Sequence, residues 1–310
     1  MELIRGLHNL EPRHTGCALT IGNFDGVHLG HRAILQTLVE HARNLQVPSC
    51  MMSFEPLPQE YFGGDKAPAR LTRLREKWCA LQNTDIDQFL CVKFNHQLAE
   101  LSAEQFIEQV LLDTLQVRFL VVGDDFRFGK GRSGDFALLK HYGEQQGFEV
   151  VDSHSHCLHG ERISSTAIRG ALSRGELNHA AAMLGRGYRM CGKVAHGDKR
   201  GRTIGFPTAN IKLHRHATPL SGVYAVQMHG LESGPVNGVA NMGKRPTVDG
   251  HIIQLEVHLF DFEQDIYGAQ VCVEFKHKLR DEQRFESFEA LKQQIVKDSE
   301  QARQFFADQP

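Results

Sequence analysis

Residues 19–31 read LTIGNFDGVHLGH: a short apolar run, a glycine-rich turn, then two histidines separated by Leu29 and Gly30. Beyond them the apolar positions fall at Ile34, Leu35, Leu38, Val39, Ala42 and Leu45, which is helical spacing. The stretch is a strand that turns directly into a helix. Working outward, VPSCMMSF (47–54), IDQFLCVKF (86–94), RFLVVG (118–123) and FEVVDSHS (148–155) are further strand candidates. Between them TRLREKWCALQ (72–82) has a helical pattern, and Ser102 with Gln105 makes a capping-box start to AEQFIEQVLLDTL (103–115). Strands alternating with helices imply parallel pairing through crossovers, so this half is predicted to be a doubly wound α/β domain.

After residue 187 the pattern changes. YRMCGKVAHG (188–197), GVYAVQMHGL (222–231), VNGVANMG (236–243), IIQLEVHLFDF (252–262) and AQVCVEFKHKL (269–279) are short β-branched segments separated by Gly, Pro and Asp turns. They predict an antiparallel barrel or sandwich. One amphipathic helix, SFEALKQQIVKDSEQARQFF (287–306), closes the chain and is expected to face the barrel with Phe288, Leu291, Ile295, Ala302 and Phe305. The change falls near LGRGYR (184–189), giving domains 1–185 and 186–310. A length of 310 residues suits two cores.

With 41% hydrophobic and 23% charged residues and a net charge of −2, the composition is that of a soluble globular protein. It carries no electrostatic footprint for nucleic acid or acidic membranes. No stretch approaches the ~20 apolar residues of a spanning helix, and the first residues lack the apolar run of a signal peptide. The seven cysteines are scattered, with no C-x-x-C pair, and read as thiols in a reducing compartment, not as a disulfide framework. The expected location is cytoplasmic.

His28 and His31 open a helix, where unsatisfied N–H groups and the helix dipole favour an anion. Gly26 and Gly30 let a phosphate approach the backbone. Metal binding lacks further ligands nearby; plain surface histidines or helix capping are the bland alternatives. ISSTAIRGAL (163–172) offers a second such site, with Ser164, Ser165 and Thr166 at a helix start and Arg169 one turn on; a simple N-cap is its alternative. GKGRSG (129–134) matches G-x-G-x-x-G but is too far from its strand for a dinucleotide turn, and reads better as a loop beside Phe126 and Phe128 that covers a ligand. GVANMGKR (238–245) misses the P-loop because Arg245 holds the Ser/Thr position. SHSHCLH (153–159) reads as a polar connection rather than a metal site. In GRTIGFPTAN (201–210), Thr208 and Asn210 are oxygen donors of the kind that suits Mg²⁺ carried with nucleotide phosphates; a structural turn is the alternative. Glu256 shares a strand face with Gln254 and His258. It is either a surface carboxylate or a general base.

GNFDGVHLGH (22–31), VVGDDFRFG (121–129), ISSTAIR (163–169), GRTIGFPTAN (201–210), NMGKRPTV (241–248), LEVHLFDF (255–262) and LRDEQRF (279–285), in this order, make the chain resemble from end to end the bacterial bifunctional riboflavin kinase/FMN adenylyltransferases, or FAD synthetases. The resemblance implies an H-x-G-H nucleotidyltransferase-like domain followed by a six-stranded flavokinase barrel. It implies phosphorylation of riboflavin by ATP to FMN and ADP, then adenylylation of FMN by a second ATP to FAD and pyrophosphate. Gly22, Asn23, Phe24 and Asp25 with His28 and His31 would then bind ATP, Ser164 to Thr166 and Arg169 would hold pyrophosphate, and Asp125, Phe126, Arg127 and Phe128 would line the flavin or adenine side. In the kinase, Gly197, Arg202, Pro207, Thr208 and Asn210 would bind Mg²⁺–ATP, Thr208 and Asn210 holding the metal, Glu256 would act as base, and Arg280 and Phe285 would border the flavin. The rivals are a single-activity nucleotidyltransferase with a ligand-binding barrel, an NAD-dependent oxidoreductase built on GKGRSG, and a nucleic-acid adaptor. The oligomeric state is not legible.

Overall fold

The apolar run 18–21 is strand β2 (Ala18–Ile21), and its neighbours explain why it is apolar throughout. β1 (Glu2–Arg5), β3 (Ser49–Glu55), β4 (Gln88–Lys93), β5 (Phe119–Gly123) and β6 (Glu149–Ser153) join it in a six-stranded sheet of order β1-β4-β3-β2-β5-β6, every pairing parallel. Both faces are covered, as a parallel sheet requires. On one side Ala18, Met51, Phe89 and Phe119 pack against Leu35, Leu38 and Ala42 of helix α1 (Leu29–Leu45) and against Trp78 of α3 (Leu74–Leu81). On the other, Leu19, Ile21, Met52 and Leu120 meet Phe106, Ile107, Val110 and Leu111. Those four lie on a π-helical segment, Phe106–Thr114, that continues α5 (Ala103–Gln105). The capping box at its start is present: Ser102 Oγ accepts from Gln105 N at 3.1 Å, and Gln105 Oε1 from Ser102 N at 2.9 Å. Shorter helices α2 (Pro58–Gly63) and α4 (His96–Ala99) and the longer α6 (Phe136–Gln146) complete this part. β1 escaped the sequence reading; it is a four-residue edge strand beside β4.

The computed structural model describes residues 1–153, 156–158, 160–196, 206–247 and 250–309, for 244–247 and 250–252 the backbone alone. The chain forms two compact units: 1–68 with 72–164, and 69–71 with 165–310. The second unit begins with α7 (Ser165–Arg174) and α8 (Leu177–Leu184). Then β9 (Arg189–Ala195), β10 (Ala209–Lys212), β11 (Gly222–His229), β12 (Val236–Thr247), β13 (Gly250–Leu259) and β14 (Gln270–Arg280) close an antiparallel barrel of order β10-β13-β12-β11-β14-β9. Tyr224, Val226, Met228, Leu255, Val257 and Val273 are buried inside it. The alternate residues Val223, Ala225 and Val239 lie under the last helix, α9 (Phe288–Ala307), against Ala302, Phe305 and Phe306. GVANMGKR lies wholly within β12, so it is no phosphate loop. In SHSHCLH, residues 154, 155 and 159 lie outside the described residues; Cys157–Leu158 is strand β7, paired with β8 (Glu161–Arg162).

Two expectations are corrected. Phe288 does not face the barrel: it is 60% exposed, in the first turn after the Ser287 cap, whereas Ala302 and Phe305 of the same expected stripe do pack there, beside buried Asp298 and Ser299. Nor are all cysteines free thiols. Cys191 and Cys272 stand opposite each other in the β9–β14 pairing, with Cα atoms 4.0 Å apart, and form a disulfide. Their separation of 81 residues hides the pair from any reading of spacing.

Candidate active sites

In the first unit, the turn after β2 is held in a demanding conformation. Phe24 and Val27 have φ of 45° and 42°, and Gly26 of 90°. For a β-branched residue such as Val27 this is a real steric cost, and it persists only where surroundings fix it. Those surroundings are visible. Thr72, just ahead of α3, donates from N (2.9 Å) and Oγ1 (3.3 Å) to Asp25 Oδ1, and Thr72 Oγ1 accepts from Gly26 N at 2.8 Å. Asp25, Phe24 and Val27 are all buried.

The turn delivers His28 to the N-cap of α1, where its Nδ1 accepts from His31 N at 3.2 Å. Capping and phosphate binding are thus not alternatives. A ring whose Nδ1 accepts carries its proton on Nε2 when neutral, so the cap fixes the tautomer. The His28 and His31 rings stack with centroids 3.5 Å apart, and Phe24 lies 5.0 Å from His31. A Cβ on Gly30 would sit 3.3 Å from the His28 ring, so this glycine makes room for the folded-back imidazole. The site lies at the C-terminal ends of β2 and β3, where open α/β sheets bind their ligands. There the short α2 carries Tyr61 and Phe62, which form an edge-to-face cluster with Phe94 at 5.3 and 5.7 Å; Phe54 joins through Phe94, and Phe62 is 70% exposed.

After β5, Asp125 and Arg127 are exposed, Phe126 is half-buried, and Phe128 belongs to the core, packing on Phe106 at 5.5 Å. Arg162 reaches Asp124 at 2.8 Å and Asp125 at 3.4 Å. The glycines of GKGRSG serve that packing: Phe128 and Gly134 form a bridge, and a Cβ on Gly134 would strike the Phe128 ring at 2.6 Å. Ser164 closes the first unit, while Ser165, Thr166 and Arg169 lie on α7 in the second, where Arg169 Nε donates to the Ala69 carbonyl at 2.7 Å.

In the barrel, strand register does the positioning. Glu256 of β13 stands opposite Asn210 of β10 on one side and Asn241 of β12 on the other. Gln254 Nε2 donates to both Asn210 Oδ1 and Glu256 Oε1 at 2.9 Å, tying the two expected residues together. His258 donates from Nδ1 to the Pro207 carbonyl at 2.9 Å, anchoring the segment that carries Thr208 into β10. Leu255, Val257 and Leu259 are buried while Gln254, Glu256 and His258 are half-exposed, the alternation the sequence implies. Arg280 and Phe285 are also brought together, the guanidinium 5.6 Å from the ring centroid. Buried Asp298 of α9 grips that guanidinium through Nε at 2.9 Å and Nη2 at 2.8 Å. Gly197 and Arg202 lie outside the described residues.

A sequence profile described as FAD synthetase matches residues 10–167, and one described as riboflavin kinase matches 184–306. The bifunctional riboflavin kinase/FMN adenylyltransferase of Haemophilus influenzae is 55% identical over 99% of both chains. The protein so named in Escherichia coli K12 is 53% identical over 99% of this chain and 98% of its own. The chain belongs to the bifunctional riboflavin kinase/FMN adenylyltransferase family. Both modules are matched, so the chain is an enzyme with both activities; the single-activity and oxidoreductase readings find no support. A crystal structure described as a macrolide-efflux protein from Streptococcus pneumoniae superposes with a TM-score of 0.81 at 29% identity, covering 98% of this chain and 99% of that one. Among the described residues here, no helix is long and apolar enough to cross a membrane.

Several residues that contact the candidate sites are not legible in the sequence. Asn241 lies inside a stretch that only nearly matches a P-loop, and Thr72 is the first residue of a helical pattern. Asp298 is a carboxylate in an amphipathic helix, where a solvated face is the ordinary reading. Pairing across strands and between elements reveals each of them; local spacing does not.

Proposed function

We propose that residues 1–185 adenylylate FMN and residues 186–310 phosphorylate riboflavin, with the roles divided as follows. His28 and His31 donate to ATP phosphate oxygens as charge builds at phosphorus, at the positive end of a helix 17 residues long. The stacked pair at that helix start is the observation that carries this reading. Gly22 to Asp25 shape the turn for ATP, and the exposed Tyr61–Phe62–Phe94 cluster, with the Asp125–Phe128 segment, offers the planar flavin an apolar aromatic surface. Ser164, Ser165, Thr166 and Arg169 act on the leaving pyrophosphate, a role resting on the family resemblance. Here the chemistry is positioning and charge stabilisation, with no covalent nucleophile.

In the barrel, Glu256 takes the proton from the ribityl hydroxyl as it attacks ATP. Its carboxylate is held by the amide of Gln254 and flanked by Asn210 and Asn241, so it is oriented before substrate arrives. Thr208 and Asn210, with Gly197, Arg202 and Pro207, take the ATP side, and Arg280 with Phe285 borders the flavin. Among the described residues no group of three His, Cys, Asp or Glu could hold a metal. The hydroxyl and amide oxygens of Thr208 and Asn210 fit a hard cation, so they would hold Mg²⁺ that arrives with the nucleotide and screens its phosphate charge. That both reactions use ATP supports a cytoplasmic location.

The test is a time course with riboflavin, ATP and Mg²⁺, separating the flavins by chromatography. FMN should precede FAD. FMN without FAD, even when FMN and ATP are supplied directly, would remove the role of the first half; no flavin product would remove both.

A further inference from the structure

Beneath the H-x-G-H turn lies an ammonium group that none of these roles uses. Lys77, in the first half of α3, is 3% exposed. Its Nζ donates to the Asn23 carbonyl at 2.6 Å and to Ser53 Oγ at 2.9 Å, and Ser53 Oγ donates to the same carbonyl at 3.2 Å. The position of that carbonyl matters. Gly22 N makes the last ladder bond of this edge, to Met52 O at 3.1 Å. Asn23 is the first residue past the sheet, and Phe24, two residues before Gly26, already has positive φ. Burying an ammonium costs several kcal/mol unless its partners compensate, so a lysine at this depth is a poor choice for filling space. What it does supply is a donor fixed from a neighbouring helix onto the backbone where the strained turn departs.

We infer that Lys77 is a positioning residue for adenylyl transfer. With Thr72 it forms a two-point clamp: Lys77 fixes the entry of the turn at Asn23, and Thr72 fixes its apex at Asp25 and Gly26. Between them they hold the backbone that places His28 at the helix cap and His31 over it. Helix α3 is therefore part of the machinery of the site and not only a cover for the sheet. The inference rests on the assignment of His28 and His31 to adenylyl transfer.

Because misplacement by about 1 Å can cost ~10²-fold, Lys77→Met should lower kcat for FMN adenylylation by about that factor. The KM for ATP should stay nearly constant, since the phosphate-binding groups remain present. Lys77→Gln, which keeps an N–H donor, should recover about tenfold of the loss. Riboflavin phosphorylation by the same preparation should match the parent enzyme. Should Lys77→Met not fold, Thr72→Val removes one hydroxyl and is read by the same split of kcat from KM. Unchanged kcat in the folded variants, a rise in KM alone, no recovery in Lys77→Gln, or equal loss of both activities overturns the inference. His28→Ala is run alongside: if it still adenylylates FMN, the assignment of the site fails, and if it does not while the Lys77 variants are normal, the clamp fails.

Discussion

His28 and Glu256 are held in place by opposite means. His28 stands at the end of a turn with two non-glycine residues at positive φ, fixed by hydrogen bonds from residues about 50 positions away in sequence. Glu256 stands in the middle of a regular strand, its neighbours set by antiparallel register on both sides. A loop at the end of a parallel sheet gains freedom of shape and must be fixed by tertiary bonds. A ladder position gets its geometry from backbone pairing that the whole barrel shares. The first kind of site should be sensitive to its supports, the second mainly to its own side chain.

The largest effect should come from the ladder site. Glu256→Gln keeps size and strand pairing, and should cut riboflavin phosphorylation by ~10²–10⁴-fold while supplied FMN is still adenylylated. If phosphorylation survives, register alone has put an inert carboxylate in the site. Next, His28→Ala should lower adenylylation by roughly 10²–10³-fold and leave FMN formation intact, as read by product chromatography. Loss of both activities in folded protein would dissolve the contrast between the two regions.

Asp298→Ala tests a support in the barrel unit. It leaves the largely buried Arg280 guanidinium without its bidentate partner and should destabilise that unit by about 3 kcal/mol, seen in denaturant unfolding. A change confined to flavin KM with stability intact would show Asp298 to be tuning the site instead.

A smaller effect should appear with pH. Burial, then the nearby Arg189, hold His229 below its ordinary value even though Glu274 lies 3.2 Å away. For Glu274, burial raises the carboxyl, but the hydrogen bond from Lys276 and the charge of Arg189 outweigh it and leave it below the usual range. Both lowered values have the same sign. The unfolded chain binds more protons, so stability is full above the unfolded values and falls on acidification, starting near pH ~6.5 for the histidine and ~4.3 for the carboxylate. Thermal melts should show the midpoint falling below pH 6.5, and the first part of that fall should vanish in His229→Gln. A midpoint that rises with acid would reverse the assignment. Smallest of all, Phe288→Ser should stay within about 0.5 kcal/mol of the parent, because the ring is mostly in solvent; a larger loss in unfolding experiments would restore the apolar stripe expected from periodicity.

What the sequence determined by itself was the identity and order of the parts. Apolar runs alternating with helical spacing announced a parallel sheet, short β-branched segments announced the barrel, and seven motifs in order carried the family. These are local signals, written within a few residues. Periodicity also placed Glu256 on the face opposite Leu255 and Val257. It failed where an element ends or a stripe changes partner, as at Phe288, because helical spacing says which residues align but not how far the underlying surface extends. Tertiary structure alone decided which distant residues meet: Thr72 and Lys77 at the H-x-G-H turn, Asn210 and Asn241 beside Glu256, Asp298 on Arg280, and Cys191 opposite Cys272. Each pairing is set by strand register or by helix packing across long separations, and such contacts leave no spacing in the chain to be read.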